Sequence, residues 1–251
     1  MKSRIGAYAG VQLADYFTGR GLLVLMLTAL AVWGYATVNG LTAFAFDAST
    51  GVEGRAQLQR AFDVVFAAFA LIAAALSAQN LVARHRRRRY DRVIFARALS
   101  PLRYYFQGFL VAGLGGALLA VAVAQTYSIV VHPVSVLGAT ALVGLAWLTI
   151  GGLAFLLSAL TWLHTPLVAV LVGADLALDR YASALRAAGQ GDPLVDAAQY
   201  LLPPGHVIVS LSGPFARGLM VDRVALVWPV AFGVVCLAAA LLLLRRRPFK
   251  S

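Results

Sequence analysis

The sequence predicts an all-α membrane protein. It should have six transmembrane helices, an N-terminal interfacial helix, a short cytoplasmic helix after the second crossing and short outer helices before the last. Three observations carry this. Of 251 residues, 61% are hydrophobic and only 12% charged, whereas soluble domains run about 45–50% apolar and about 25% charged; a water-soluble globule is excluded. Charged or proline-containing breaks divide the apolar sequence into stretches near the roughly 20 residues that one crossing needs. Finally, the basic residues fall in blocks between those stretches rather than evenly. The chain reads as a single polytopic unit, 1–251, with no room for a soluble catalytic domain.

The crossings are placed at 21–46, 61–82, 105–131, 134–163, 166–178 and 223–244. The first is too late and too long for a cleaved secretory signal, whose apolar core is about 7–15 residues. Residues 1–20 mix Tyr8, Val11, Leu13, Tyr16 and Phe17 with Arg4, Gln12, Asp15 and Arg20. This fits an interfacial helix on the cytoplasmic leaflet, or equally an extension of the first crossing. The fifth stretch is short, and crosses only if Asp175 and Asp179 sit at the outer interface and the helix runs on towards Ala188.

With both termini inside, fifteen of the 21 basic residues are cytoplasmic, and eight of the ten acidic residues, all but Asp15 and Asp91, are outside. Basic residues favour the cytoplasmic side, and termini on one side require an even number of crossings, so six is preferred to five or seven.

The longest outer segment is 181–222. Asp192 followed by Pro193 fits an N-cap and first helical position. Pro203-Pro204-Gly205 ends that helix, and a second apolar piece, 206–211, is closed by Gly213-Pro214. Both pieces are too short to cross.

Chemistry-bearing residues are few. Cys236 is the single cysteine, so no internal disulfide can form. Neither lysine, Lys2 or Lys250, follows a glycine, so there is no Walker A loop. The histidines His85, His132, His164 and His206 lie at different span ends, which disfavours a haem or zinc site. Asp175 and Asp179 stand one helical turn apart, in an interfacial or arginine-paired role with Arg180 or Arg186, or in proton or cation handling. Thr28, Tyr35, Asn39 and Thr42 form a polar row on the first crossing that should face protein or a cavity rather than lipid. Ala112, Gly116, Ala120 and Ala124, and likewise Ala70, Ala74 and Ala78, recur every four residues as packing faces.

The tract Arg84-His85-Arg86-Arg87-Arg88-Arg89 fits a positive-inside anchor on anionic headgroups, and it lacks the interleaved aromatics of a single-strand nucleic-acid binder. After it, Asp91, Arg92, Val93, Ile94, Phe95 and Arg97 compose a short amphipathic helix parallel to the membrane. Pro101 stops it, and Arg103-Tyr104-Tyr105 anchor the third crossing at the interface.

The order of these elements, together with Ala98-Leu99-Ser100-Pro101-Leu102-Arg103-Tyr104-Tyr105-Phe106-Gln107-Gly108-Phe109-Leu110, resembles the permease subunit of ATP-binding-cassette (ABC) exporters of the type-2 class. Arg97, Ser100, Pro101, Arg103 and Gly108 fill recognisable slots. Tyr90-Asp91-Arg92 stands where the family usually has glycine and glutamate, and Phe109 replaces its customary lysine. The resemblance implies that segment 84–103 couples to a separate cytosolic ATPase dimer, through Asp91, Arg92, Ile94, Phe95, Arg97 and Pro101. It implies a second permease copy or paralogue, with ATP and magnesium bound in the partner and no cofactor in this chain. In that family the first, second and fifth crossings line the route. This makes Thr28, Tyr35, Asn39 and Thr42, with Asp63 and Phe66 of the second crossing, the candidate pathway, although interhelical hydrogen bonding accounts for the row as well. The implied setting is a bacterial inner membrane, with lipid and protein partners and no nucleic acid. Two other classes remain. One is a non-catalytic scaffold subunit of a larger complex. The other is an intramembrane enzyme, for which Ser158 near His164 lacks a third partner.

Overall fold

The computed structural model describes residues 10–38, 52–77, 82, 100–130 and 133–246. Among them every regular element is helical and no strand occurs. Helix α1 covers residues 10–38, with a wide turn at Tyr16–Gly21 leading into the regular stretch Leu22–Val38. Then come α2 (Val52–Ser77), α3 (Pro101–Val130), α4 (Val136–Leu160), α5 (His164–Ala187), α6 (Pro193–Gln199), α7 (Gly205–Ala216) and α8 (Arg223–Arg246).

Among the described residues, four stretches are long and apolar enough to cross a membrane: Gly10–Leu30 of α1, Leu102–Ile129 of α3, Val136–Leu160 of α4 and Arg223–Arg245 of α8. The chain is accordingly a multi-pass membrane protein in character. Helix α2 adds a shorter apolar stretch, Phe62–Leu76. Helix α5 is 24 residues long, about 36 Å at the α-helical rise. It continues past Asp175 and Asp179, but it is not among the stretches apolar enough to cross.

Local sequence explains where these helices start and stop. Proline stands at the first position of α3, where its missing N–H costs nothing, and the Tyr104 amide donates to the Ser100 carbonyl at 3.1 Å. Ser135 caps α4, its hydroxyl accepting from the Gly138 amide at 3.1 Å. Asp192 caps α6 by accepting from the Leu194 amide at 2.8 Å, with Pro193 next, as the sequence indicates. Helix α5 ends at Gly189, whose φ of 72° favours a residue without a Cβ, and Gln190 donates back to the Leu185 carbonyl at 2.9 Å.

One boundary follows the second of its two sequence readings, and another departs from the sequence. Residues 10–20 show no break from the first long helix; they run into it through the wide turn, which buries Tyr16 against Gly115 of α3. Residues 1–9 of the expected interfacial helix lie outside the described residues. Gly213-Pro214 does not close the second short piece, because α7 continues to Ala216 with Pro214 inside it. Pro214 falls in the last turn, where it removes one hydrogen bond at most, and Gly218 at φ 65° makes the real stop.

Of the four long apolar stretches, α4 is the most enclosed. Its first part packs on α2, α3 and α7, its last part on α5 and α8, and a second wide turn, Trp147–Gly151, packs on α2 and α8. Glycine permits the closest crossing, since a Cβ on Gly233 of α8 would stand 2.6 Å from the Leu148 carbonyl oxygen, and one on Gly152 would stand 3.1 Å from that of Gly233. The small-residue faces are buried: Ala112, Gly116, Ala120 and Ala124 on α3, and Ala70 and Ala74 on α2, with Ala78 outside the described residues. Between them aromatic rings fill the core. Phe109 stacks on Trp147 at 4.1 Å and on Phe155 at 5.2 Å.

Candidate functional site

Of the candidate pathway residues, Asp63 and Phe66 sit on α2 where it meets α7 and α3. Phe66 is wholly buried, stacked with Phe62 at 5.3 Å and beside Phe69 at 5.6 Å, and Phe62 in turn lies 4.1 Å from the Tyr127 ring of α3. Asp63, next to Phe62 in the chain, faces Arg217 at the end of α7, with 3.7 Å between the carboxylate oxygen and the guanidinium nitrogen. The pair is partly open, the side chains being 46% exposed for Arg217 and 16% for Asp63. Gly213 makes the approach possible, for a Cβ there would lie 2.8 Å from the Asp63 carboxylate and 3.0 Å from the Arg217 guanidinium. The second-crossing candidates thus belong to an aromatic wall carrying one acid, closed on one side by a cation from α7.

Thr28 is buried on α1, and its hydroxyl donates to the Val24 carbonyl at 2.7 Å. That bond satisfies the polar group within its own helix. Tyr35 lies in the helical backbone of α1, whereas Asn39 and Thr42 lie outside the described residues. The same holds for the expected coupling residues Asp91, Arg92, Ile94, Phe95 and Arg97. Pro101 is the first residue of α3.

A second polar centre lies where α5 meets the two short helices. Asp175, one of the two acids singled out on α5, is 0% exposed. Its two oxygens both serve His206 at the start of α7: one accepts the backbone N–H at 2.7 Å, the other lies 2.7 Å from Nδ1. A carboxylate at a helix N-terminus satisfies an otherwise orphaned amide and meets the positive end of the helix dipole. Gly205 lets it in, since a Cβ there would stand 3.1 Å from the Asp175 oxygen. One turn on, Asp179 accepts from the Gln199 side-chain amide at 3.3 Å, at the end of α6. Two acids one helical turn apart therefore pin the corner between α6 and α7.

The partners differ from the arginines that the sequence offers. Arg186 donates through Nε to the Ala182 carbonyl at 3.3 Å, and Arg180 is exposed. His206 is held above the ordinary histidine range by its hydrogen bond to Asp175 first of all, with burial and Arg186 pulling the other way and Asp179 adding to the rise.

Arg217, His206 and Gln199 were not legible as partners, because the pairs are distant in sequence; His206 and Asp175 are 31 residues apart. The available signal is Pro203-Pro204-Gly205, a helix start with no capping side chain of its own, which needs an acceptor from elsewhere. Ser158, the serine weighed as a nucleophile, is buried and donates to the Phe155 carbonyl at 2.8 Å.

Compared with known proteins, the chain matches no family model, no curated protein and no solved structure.

Proposed function

We propose that this chain is the permease subunit of an ATP-driven exporter of the ABC type-2 class. It would cross a bacterial inner membrane six times with both termini in the cytoplasm. The observation that carries the reading is the helix order. Two long helices precede the arginine-laden segment 84–103; three more follow, with α3 beginning at Pro101; then a pair of short helices stands before the last long one. In this reading α1 to α5 and α8 are the six crossings, and α6 and α7 form the outer cap. The chain carries no ATPase motif, so hydrolysis, with its ATP and magnesium, belongs to a cytosolic partner dimer, and a second permease copy or paralogue completes the assembly.

ATPase closure would act on Asp91, Arg92, Ile94, Phe95, Arg97 and Pro101. Closure shifts the crossings only if the ATPase binds one arrangement of them better than the other. Thr28, Tyr35, Asn39, Thr42, Asp63 and Phe66 would then face the route, with the Asp63–Arg217 pair at its capped end.

The test is affinity purification of the tagged chain from its native membrane. A magnesium-dependent ATPase chain should co-purify, and Asp91→Ala with Arg97→Ala should lose it while the membrane-embedded chain keeps its helical content. Unchanged assembly in the double variant, or a stable complex with no ATPase, would favour a scaffold subunit instead.

A further inference from the structure

Helix α7 is tied at both ends by charge, and the two ties differ in kind. At its C-terminal end the guanidinium of Arg217 faces Asp63 of α2. At its N-terminal end the tie is Asp175 of α5 with His206, a group that changes charge near neutrality. We propose that Asp175 and His206 are a proton-binding latch: the bound proton holds the start of α7 on α5, and its loss loosens that end while Asp63 and Arg217 keep the other in place. The proposal goes beyond the transport reading and does not depend on it.

The geometry makes the proton matter. Asp175 is fully buried and directs both oxygens at one residue. A buried carboxylate is tolerated only when its charge is offset and its lone pairs are bonded. The His206 amide and the helix dipole supply part of that offset in either state. The imidazolium supplies a full charge only while protonated; the neutral ring can still donate through Nδ1, but it leaves the carboxylate with no cation against it. The latch is therefore strong with the proton and weaker without it, not simply made or broken.

Few other groups confuse the titration. Helix α7 packs on α2, α4 and α5. From α5, Asp179 strengthens proton binding and Arg186 weakens it. Helix α4 contains no titratable residue at all. Among the described side chains of α2, Asp63 is the charged one, and it pairs with Arg217 at the far end of α7. Because His206 binds its proton more tightly folded than unfolded, the stabilisation is fully present below the ordinary histidine value. It fades as pH rises through the elevated one.

The test is hydrogen–deuterium exchange on the full chain in lipid nanodiscs, followed by mass spectrometry from about pH 5 to about pH 9 and corrected for intrinsic exchange. The peptide opening α7, residues 205–212, should lose protection as the pH rises through a midpoint above the ordinary histidine value. The loss should be about tenfold for each unit by which the proton affinity is raised. Residues 223–246 of α8 should stay unchanged over the same range. His206→Gln keeps a donor but has nothing to titrate, so its protection should be flat with pH. Asp175→Asn should raise exchange of the α7 peptide at every pH. Wild-type protection of α7 that does not vary with pH overturns the proposal. So does a pH response that survives in His206→Gln, or one in which α7 and α8 exchange together. The comparison of the two wild-type peptides decides the matter even if neither variant folds.

Discussion

Asp175 serves the amide and the ring of a residue 31 positions away, and this single carboxylate decides how the start of α7 is held. Replacing it with alanine leaves a buried amide and a histidine ring without their acceptor, a loss of about 1–3 kcal/mol. Thermal unfolding of Asp175→Ala in detergent at a pH below the ordinary histidine value should show it. Arg217→Ala should do much less, under about 1 kcal/mol in the same measurement, because its partner is 3.7 Å away and the guanidinium is half in the open. The importance of Asp175 was legible in the sequence, since an acid inside an apolar helix needs a reason. Its partner was not, because the pairing depends on a chain reversal between Gly189 and Gly205 that spacing along the sequence does not encode.

At the scale of single helices, boundaries were legible where a local device made them and obscure where packing did. Asp192-Pro193 opens α6 as its residue types require. Gly213-Pro214 looks like a stop but is not one, because the glycine is demanded by Asp63 and Arg217 pressing on α7, while the proline costs little so near the helix end. The contact between α4 and α8 likewise hides in plain glycines. Adding one methyl at Gly233 would place it 2.6 Å from a backbone oxygen, and backbone cannot move aside as a flexible side chain can. Gly233→Ala should therefore destabilise the protein by about 1–3 kcal/mol, read as a lower unfolding temperature. A matching change at Gly144, where nothing lies within 4 Å, should be nearly silent.

For the molecule as a whole, composition and the apolar run lengths gave the helical, membrane-crossing character, because lipid leaves few other ways to satisfy a backbone. The placement of arginine gave a topology, and the exporter reading rests on that topology together with the residues around Pro101. What stands opposite each helix face was less legible. The row led by Thr28 was defined by spacing on one helix, whereas the described polar centres are built across helices: Asp63 with Arg217, and Asp175 with His206. Periodicity finds the face of a helix and is silent about what stands opposite.

The wide turn at Trp147–Gly151 leaves α4 with one residue more than a regular spiral would hold there. That surplus sets the phase between the part of α4 facing α3 and α7 and the part that meets α8, an offset of about 100° per residue. Excising Thr149 alone would thus swivel everything downstream, carrying Gly152 away from Gly233 while leaving each neighbouring side chain chemically intact. One spare peptide unit keys the two halves of the bundle to each other.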